Sequence, residues 1–184
     1  GFPAVDAETV RRATGNGAAN LLERCFALAG RQSGKATLSG AEMERALGEY
    51  REHYDAHCAE HTALYPGMRE WLEDIAARGC RMAVLTNKPG TVSRSLLRAL
   101  GVDGFFDIIA GPETFGALKP DPAGILRILE LTGYAPEETV MVGDSVVDIQ
   151  TGLNAGVYTC AITGGLGDEG ELRSLPYGVL IERS

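Results

Sequence analysis

The chain has 184 residues, 45% of them hydrophobic, and a formal net charge of −8, enough for one domain or a domain with a small satellite. The negative charge argues against a general affinity for nucleic acid or anionic membrane, and no apolar stretch is long enough to span a bilayer or resembles a signal peptide. Cys25, Cys58, Cys80 and Cys160 are scattered without paired spacing, which fits reduced thiols in a cytoplasmic protein better than a disulfide frame or a zinc site.

From Val5 to about His61 the pattern is helical, with no convincing strand. Asp6 is placed to cap a short helix running to Arg12, with Glu8 near its positive end. Gly15-Asn16-Gly17 breaks that helix. A second helix, Ala18 to Ala29, carries Leu21, Leu22, Cys25, Phe26 and Leu28 at helical spacing and is expected to end at Gly30. After a polar loop, Ser39 is placed to cap a long amphipathic helix holding Met43, Leu47, Tyr50 and Tyr54. Helices of this kind need one another, or a partner surface, to bury their stripes.

Beyond Tyr65-Pro66-Gly67 strands and helices alternate. The spacing predicts helices over Met68 to Arg78, Thr91 to Leu100, Pro122 to Leu131 and Asp148 to Ala155. Strands are predicted at Arg81 to Thr86, Phe106 to Ala110, Val140 to Val142, Tyr158 to Ile162 and Val179 to Ile181. Such alternation predicts an α/β fold, a Rossmann-like parallel sheet flanked by helices. Residues 1–64 would form a small helical domain and 65–184 the α/β core.

Three strand ends in the core carry polar residues. Thr86-Asn87-Lys88-Pro89 follows the first strand; its hydroxyl and amides can hold a phosphate oxygen near a helix start, or make a plain capping turn. Leu118-Lys119-Pro120-Asp121-Pro122 puts a lysine in a stiff loop, where the ammonium can be aimed, although a single lysine is most often a solvated surface charge. Gly143-Asp144-Ser145-Val146-Val147-Asp148-Ile149 sets two carboxylates four residues apart at the C-terminal edge of a strand. Open α/β sheets bind ligands at that edge, and oxygen ligands suit magnesium. Taken alone, Asp144 fits a helix N-cap equally well.

Threonine, lysine and paired aspartates in this order resemble the haloacid dehalogenase-like phosphohydrolases, and within them the phosphoglycolate phosphatase-like members. The likeness covers almost the whole chain and includes Pro66-Gly67, Thr86-Asn87-Lys88-Pro89, Lys119-Pro120, the Gly143–Ile149 segment and Asn154-Ala155-Gly156. It also includes Gly15-Asn16-Gly17, which matches a turn in the family's helical cap but serves equally well as a helix-breaking connection.

The resemblance implies a Mg²⁺-dependent phosphatase acting on a small phosphorylated metabolite, phosphoglycolate-like, in a monomer or homodimer. Thr86 and Asn87 would bind the transferring phosphoryl group, and Lys119 would neutralise its charge. Asp144 would ligate Mg²⁺, while Asp148 would tune the metal shell or orient Lys119. Gly15, Asn16 and Gly17 would reach the substrate from the cap, with Arg11 and Arg12 as further candidates for an acidic substrate. Positioning and charge compensation are what phosphoryl transfer asks of a protein.

The sequence departs from the family at one point. Members carry an apolar strand ending in Asp-x-Asp-Gly-Thr ahead of the cap, which supplies the nucleophile of an aspartyl-phosphate. Asp6 does not replace it, since no apolar strand precedes it and no Gly-Thr follows. The expectation is that an N-terminal stretch of the natural product is missing here, that the strands ending in Thr86 and Asp144 flank an open slot, and that these residues alone are inactive. The alternatives are a non-catalytic binding or regulatory relative, a pyrophosphatase, or a β-phosphoglucomutase-like enzyme, although the last usually has a serine-rich turn where Thr86-Asn87-Lys88 stands.

Overall fold

The computed structural model describes residues 1–15, 17–165 and 167–182, leaving out the side chain of Arg12. Three helices come first. Helix α1 (Ala7–Ala13) is capped by Asp6, whose carboxylate accepts from the Thr9 N–H at 2.9 Å and from the Thr9 hydroxyl at 2.8 Å. These hydrogen bonds hold the Asp6 carboxyl below its usual range. Helix α3 (Gly40–His57) opens with a capping box, in which Ser39 N–H and Oγ donate to Glu42 Oε2 at 2.9 and 2.7 Å.

Helix α2 spans Gly17–Ser33 and corrects the expected stop at Gly30. Gly30 lies within the helix because the chain folds back over it. A Cβ there would sit 2.9 Å from the Lys35 carbonyl oxygen, and Lys35 N–H donates to Gly30 O at 3.0 Å. The glycine serves a close approach and not a terminus, which periodicity cannot distinguish.

After Gly67 come α4 (Met68–Ala77), β1 (Ala83–Leu85), α5 (Gly90–Ala99), β2 (Ile108–Ala110), α6 (Pro112–Phe115), α7 (Ala123–Thr132), β3 (Val140–Gly143), α8 (Val146–Ala155), β4 (Tyr158–Ile162), α9 (Glu169–Arg173) and β5 (Val179–Ile181). The predicted elements recur with ends moved by a few residues, as fraying termini allow. Helices α6 and α9 were not anticipated, being too short to show a period.

All strand pairs among the described residues are parallel, as the βα alternation requires. Strand β1 pairs with β2, with Val84 opposite Ile109. Strand β3 pairs with β4 and β4 with β5, with Val142 opposite Cys160 and Ala161 opposite Leu180. Among the described residues β1 and β3 do not pair with each other, so the strands form one sheet of two and one of three.

A shared core nonetheless joins the two sheets. Leu85 of β1 and Met141 of β3 pack on one cluster built from Ile125, Leu129, Ala155 and Val157. A second cluster holds Ile149, Ala161 and Leu172, each 0% exposed. Complete burial of an isoleucine or leucine side chain stabilises by about 1.5–3 kcal/mol. No described helix is long and apolar enough to cross a membrane, and all four cysteines are free.

Candidate active site

The turn after β1 is held at both ends. Thr86 N–H donates to Ala110 O at 3.0 Å, extending the ladder by one residue. Thr86 Oγ1 accepts from Lys88 N–H at 3.1 Å, which leaves the hydroxyl hydrogen to donate to an anion. The Asn87 side chain, 9% exposed, works in three directions. Its Oδ1 accepts from Lys119 N–H at 2.7 Å, while its Nδ2 donates to Lys119 O at 3.0 Å and to Gly15 O at 3.2 Å. This side chain therefore fixes the Lys119 loop against the Thr86 turn.

The Lys119–Pro120 peptide is cis, and Asn154 Nδ2 of α8 donates to Pro120 O at 2.9 Å. Lys119 Nζ reaches Asp148 Oδ1 at 2.6 Å, with side-chain exposures of 12% and 9%. The other Asp148 oxygen accepts from Ser145 N–H at 3.1 Å and from Ser145 Oγ at 2.6 Å. Ser145 is thus the N-cap of α8 and Asp148 its N3 partner in a capping box. That arrangement corrects the reading of Asp144 as a simple helix cap, and it starts the helix at Val146 instead of Asp148.

Asp144 stands at the end of β3, one residue before the cap. The loop after β4 presses on it. A Cβ on Gly165 would lie 1.9 Å from Asp144 Oδ2, and one on Gly167 would lie 2.3 Å from Asp144 O. On the other side, a Cβ on Gly143 would lie 2.2 Å from Asp148 Cβ. Only hydrogen fits at these positions, so the two carboxylates are seated by glycines before and after them.

No group of three or more His, Cys, Asp or Glu side chains arranged to hold a metal occurs among the described residues. Magnesium keeps several waters and takes one or two protein carboxylates together with substrate phosphate. Asp144 fits that requirement as a ligand from the chain. Asp148, with both oxygens already engaged, fits the orienting role on Lys119 better than ligation.

The N-terminal helices reach these residues. Gly15 O is the acceptor for Asn87, and a Cβ on Gly17 would meet Asn87 O at 3.9 Å. Arg11 Nη2 donates to Gly165 O at 3.1 Å, bridging α1 to the loop beside Asp144. Asn16 and the Arg12 side chain, both candidates from the sequence, lie outside the described residues.

The structure thus joins Asn87, Lys119, Asp148 and Gly15 through direct contacts, with Thr86, Asp144 and Gly17 adjacent to members of that set. It also gives Lys88, part of the Thr86–Pro89 turn, a contact that the sequence did not reveal. Lys88 Nζ donates to the Tyr54 hydroxyl of α3 and lies over that ring, 4.7 Å from its centroid. Tyr54 stacks on Tyr50 at 5.7 Å, and burial pushes the Tyr50 phenol up. Tyr50 and Tyr54 had registered only as an apolar stripe, because spacing along a helix does not reveal a partner 34 residues away.

A sequence model described as haloacid dehalogenase-like hydrolase matches residues 9–162. The chain is 38% identical over 165 residues to a phosphoglycolate phosphatase of Pseudomonas putida, a match covering 90% of this chain and 59% of that protein. It is 33% identical over 163 residues to a phosphoglycolate phosphatase of Haemophilus influenzae, covering 89% of this chain and 71% of that protein. A crystal structure described as a predicted phosphoglycolate phosphatase from Haemophilus somnus superposes with a TM-score of 0.86 at 28% identity, covering 97% of this chain and 80% of that one. The chain thus spans somewhat over half the length of the Pseudomonas putida relative.

Proposed function

The chain belongs to the haloacid dehalogenase-like hydrolase family, and from that premise we propose that it forms the phosphate-gripping part of a magnesium-assisted phosphatase for small phosphate monoesters. Phosphoglycolate is the favoured substrate, since similar proteins carry that activity in their names. The observation that carries the reading is the clamp of Asn87 on the Lys119 backbone, together with the Lys119–Asp148 pair. These contacts gather three separate strand ends around one crevice.

In this reading the Thr86 hydroxyl and the turn's amides bind phosphoryl oxygens. Lys119 compensates their charge, aimed by Asp148. Asp144 holds the divalent ion, which when bound supplies Lewis-acid stabilisation of the phosphoryl group. Gly15 and Gly17 stand against Asn87 on the helical side, where closure over the substrate would exclude water. The resemblance implies an aspartyl-phosphate, and these 184 residues contain no Asp-x-Asp-Gly-Thr run that would supply its attacking carboxylate.

The test is hydrolysis of p-nitrophenyl phosphate and 2-phosphoglycolate by the natural protein, with magnesium and after chelation. Metal-dependent turnover is expected. A folded, intact protein with no turnover would favour the second reading, a phosphate-binding relative without catalysis. Full activity from these 184 residues alone would overturn the aspartyl-phosphate route.

A further inference from the structure

We infer that Lys88, presented by Tyr54 of α3, is a specificity-determining residue that recognises a second anionic group, a carboxylate, on the phosphate monoester. The inference rests on the phosphatase reading of the same site and assigns a residue to the far end of its substrate.

Three observations support it. Lys88 lies two residues after Thr86, and its N–H donates to Thr86 Oγ1 at 3.1 Å, so its stem springs from the turn assigned to the phosphoryl group. Its ammonium crosses from that turn to the helical side, where it donates to the Tyr54 hydroxyl and rests over the Tyr54 ring at 4.7 Å. Both partners are neutral. They hold the cation in place without cancelling its charge.

Lys119, by contrast, is matched by Asp148, and no ion pair to Lys88 occurs among the described residues. The acid near its backbone, Glu113, is committed to the Gly90 N–H at 2.7 Å. A half-buried ammonium with neutral partners is costly until an anion arrives. In a chain of net charge −8 such a cation is a local exception, set where the part of a small substrate beyond its phosphate would lie.

The Tyr50–Tyr54 stack at 5.7 Å fixes the ring that carries the ammonium. Tyr54 is therefore a positioning residue. A neutral alcohol tail on the substrate would leave Lys88 unanswered, whereas a carboxylate would form a charge-assisted hydrogen bond.

Calorimetric titration of the full chain, with magnesium chloride present, tests this with 2-phosphoglycolate and with ethyl phosphate, which lacks the carboxylate. The wild type is expected to prefer 2-phosphoglycolate by about ten- to a hundredfold. Lys88→Met should collapse that ratio to within a few-fold, Lys88→Arg should keep most of it, and Tyr54→Phe should fall between. Circular dichroism confirms that each variant is folded. An undiminished preference in folded Lys88→Met, or equal binding of the two ligands by wild type, overturns the inference. Both of those results leave the phosphate site standing if Thr86→Val weakens ethyl phosphate binding. Binding of neither ligand overturns the phosphate-site reading and this inference with it.

Discussion

Lys119 and Asp148 meet at 2.6 Å with side chains 12% and 9% exposed, so each is the other's compensation in a place that water barely reaches. The pair aims the lysine, and the remaining aspartate oxygen is spent on the first turn of α8.

Removing one member should hurt more than removing both. Lys119→Met leaves a buried carboxylate without its counter-charge and is expected to destabilise by about 3–5 kcal/mol. The double variant Lys119→Met with Asp148→Asn should recover much of that loss while still failing to bind ethyl phosphate. Urea unfolding beside calorimetry reads both effects. Equal stability of the single and double variants would contradict the pairing.

Asn87→Ala deletes one acceptor and two donor contacts around Lys119 and Gly15. Leaving such buried partners unsatisfied costs about 1–3 kcal/mol, which is the expected loss in denaturant stability. Asn87→Asp keeps the acceptor for the Lys119 N–H but can no longer donate to either carbonyl. It should be no better than alanine, an ordering set by hydrogen-bond direction.

Gly165→Ala should act on the metal more than on the fold. The added methyl would lie 1.9 Å from Asp144 Oδ2, so the carboxylate or the loop must move, with an overpacking penalty of about 1–3 kcal/mol. The expected outcome is a higher magnesium concentration for half-maximal activity in the natural protein. Asp144→Asn should show the same defect without the steric cause.

At the opposite end of β1, Arg81 Nε donates to Asp107 Oδ2 at 2.7 Å and ties the entry of β1 to that of β2. This hydrogen bond, joined by the charge of Arg81, holds the Asp107 carboxyl below its usual range. Because the folded value lies below the unfolded one, the contribution is present above the ordinary carboxylate pKa of about 3.9. It is lost as pH falls through the depressed folded value. Asp107→Asn should therefore flatten the acid side of a plot of unfolding midpoint against pH. An unchanged slope would dismiss the pair as a contributor.

The parallel α/β architecture was legible because apolar runs such as Val84-Leu85 and Val140-Met141-Val142 are followed by glycine and helical periodicity. Thr86, Lys119 and Asp144 were singled out because each sits at a strand end or in a proline-stiffened loop, and Asp148 because it lies four residues after Asp144 in the first turn of α8. What stayed hidden depends on contacts far apart in sequence. Asn87 was assigned through its backbone amide, yet its side chain does the joining, to residues 72 and 32 positions away. Gly165 and Gly167 carry no sequence signal of their own, and their role rests on Asp144 lying against them. Gly30 misled for the same reason, since its meaning lies in Lys35 folding over it and not in the helix it occupies.

Because one amide holds Gly15 and Lys119 together, the posture of the N-terminal turn and that of the lysine are a single variable. The turn cannot swing outward alone without surrendering a contact of the residue that sets the lysine. Loss of that one amide would free both at once.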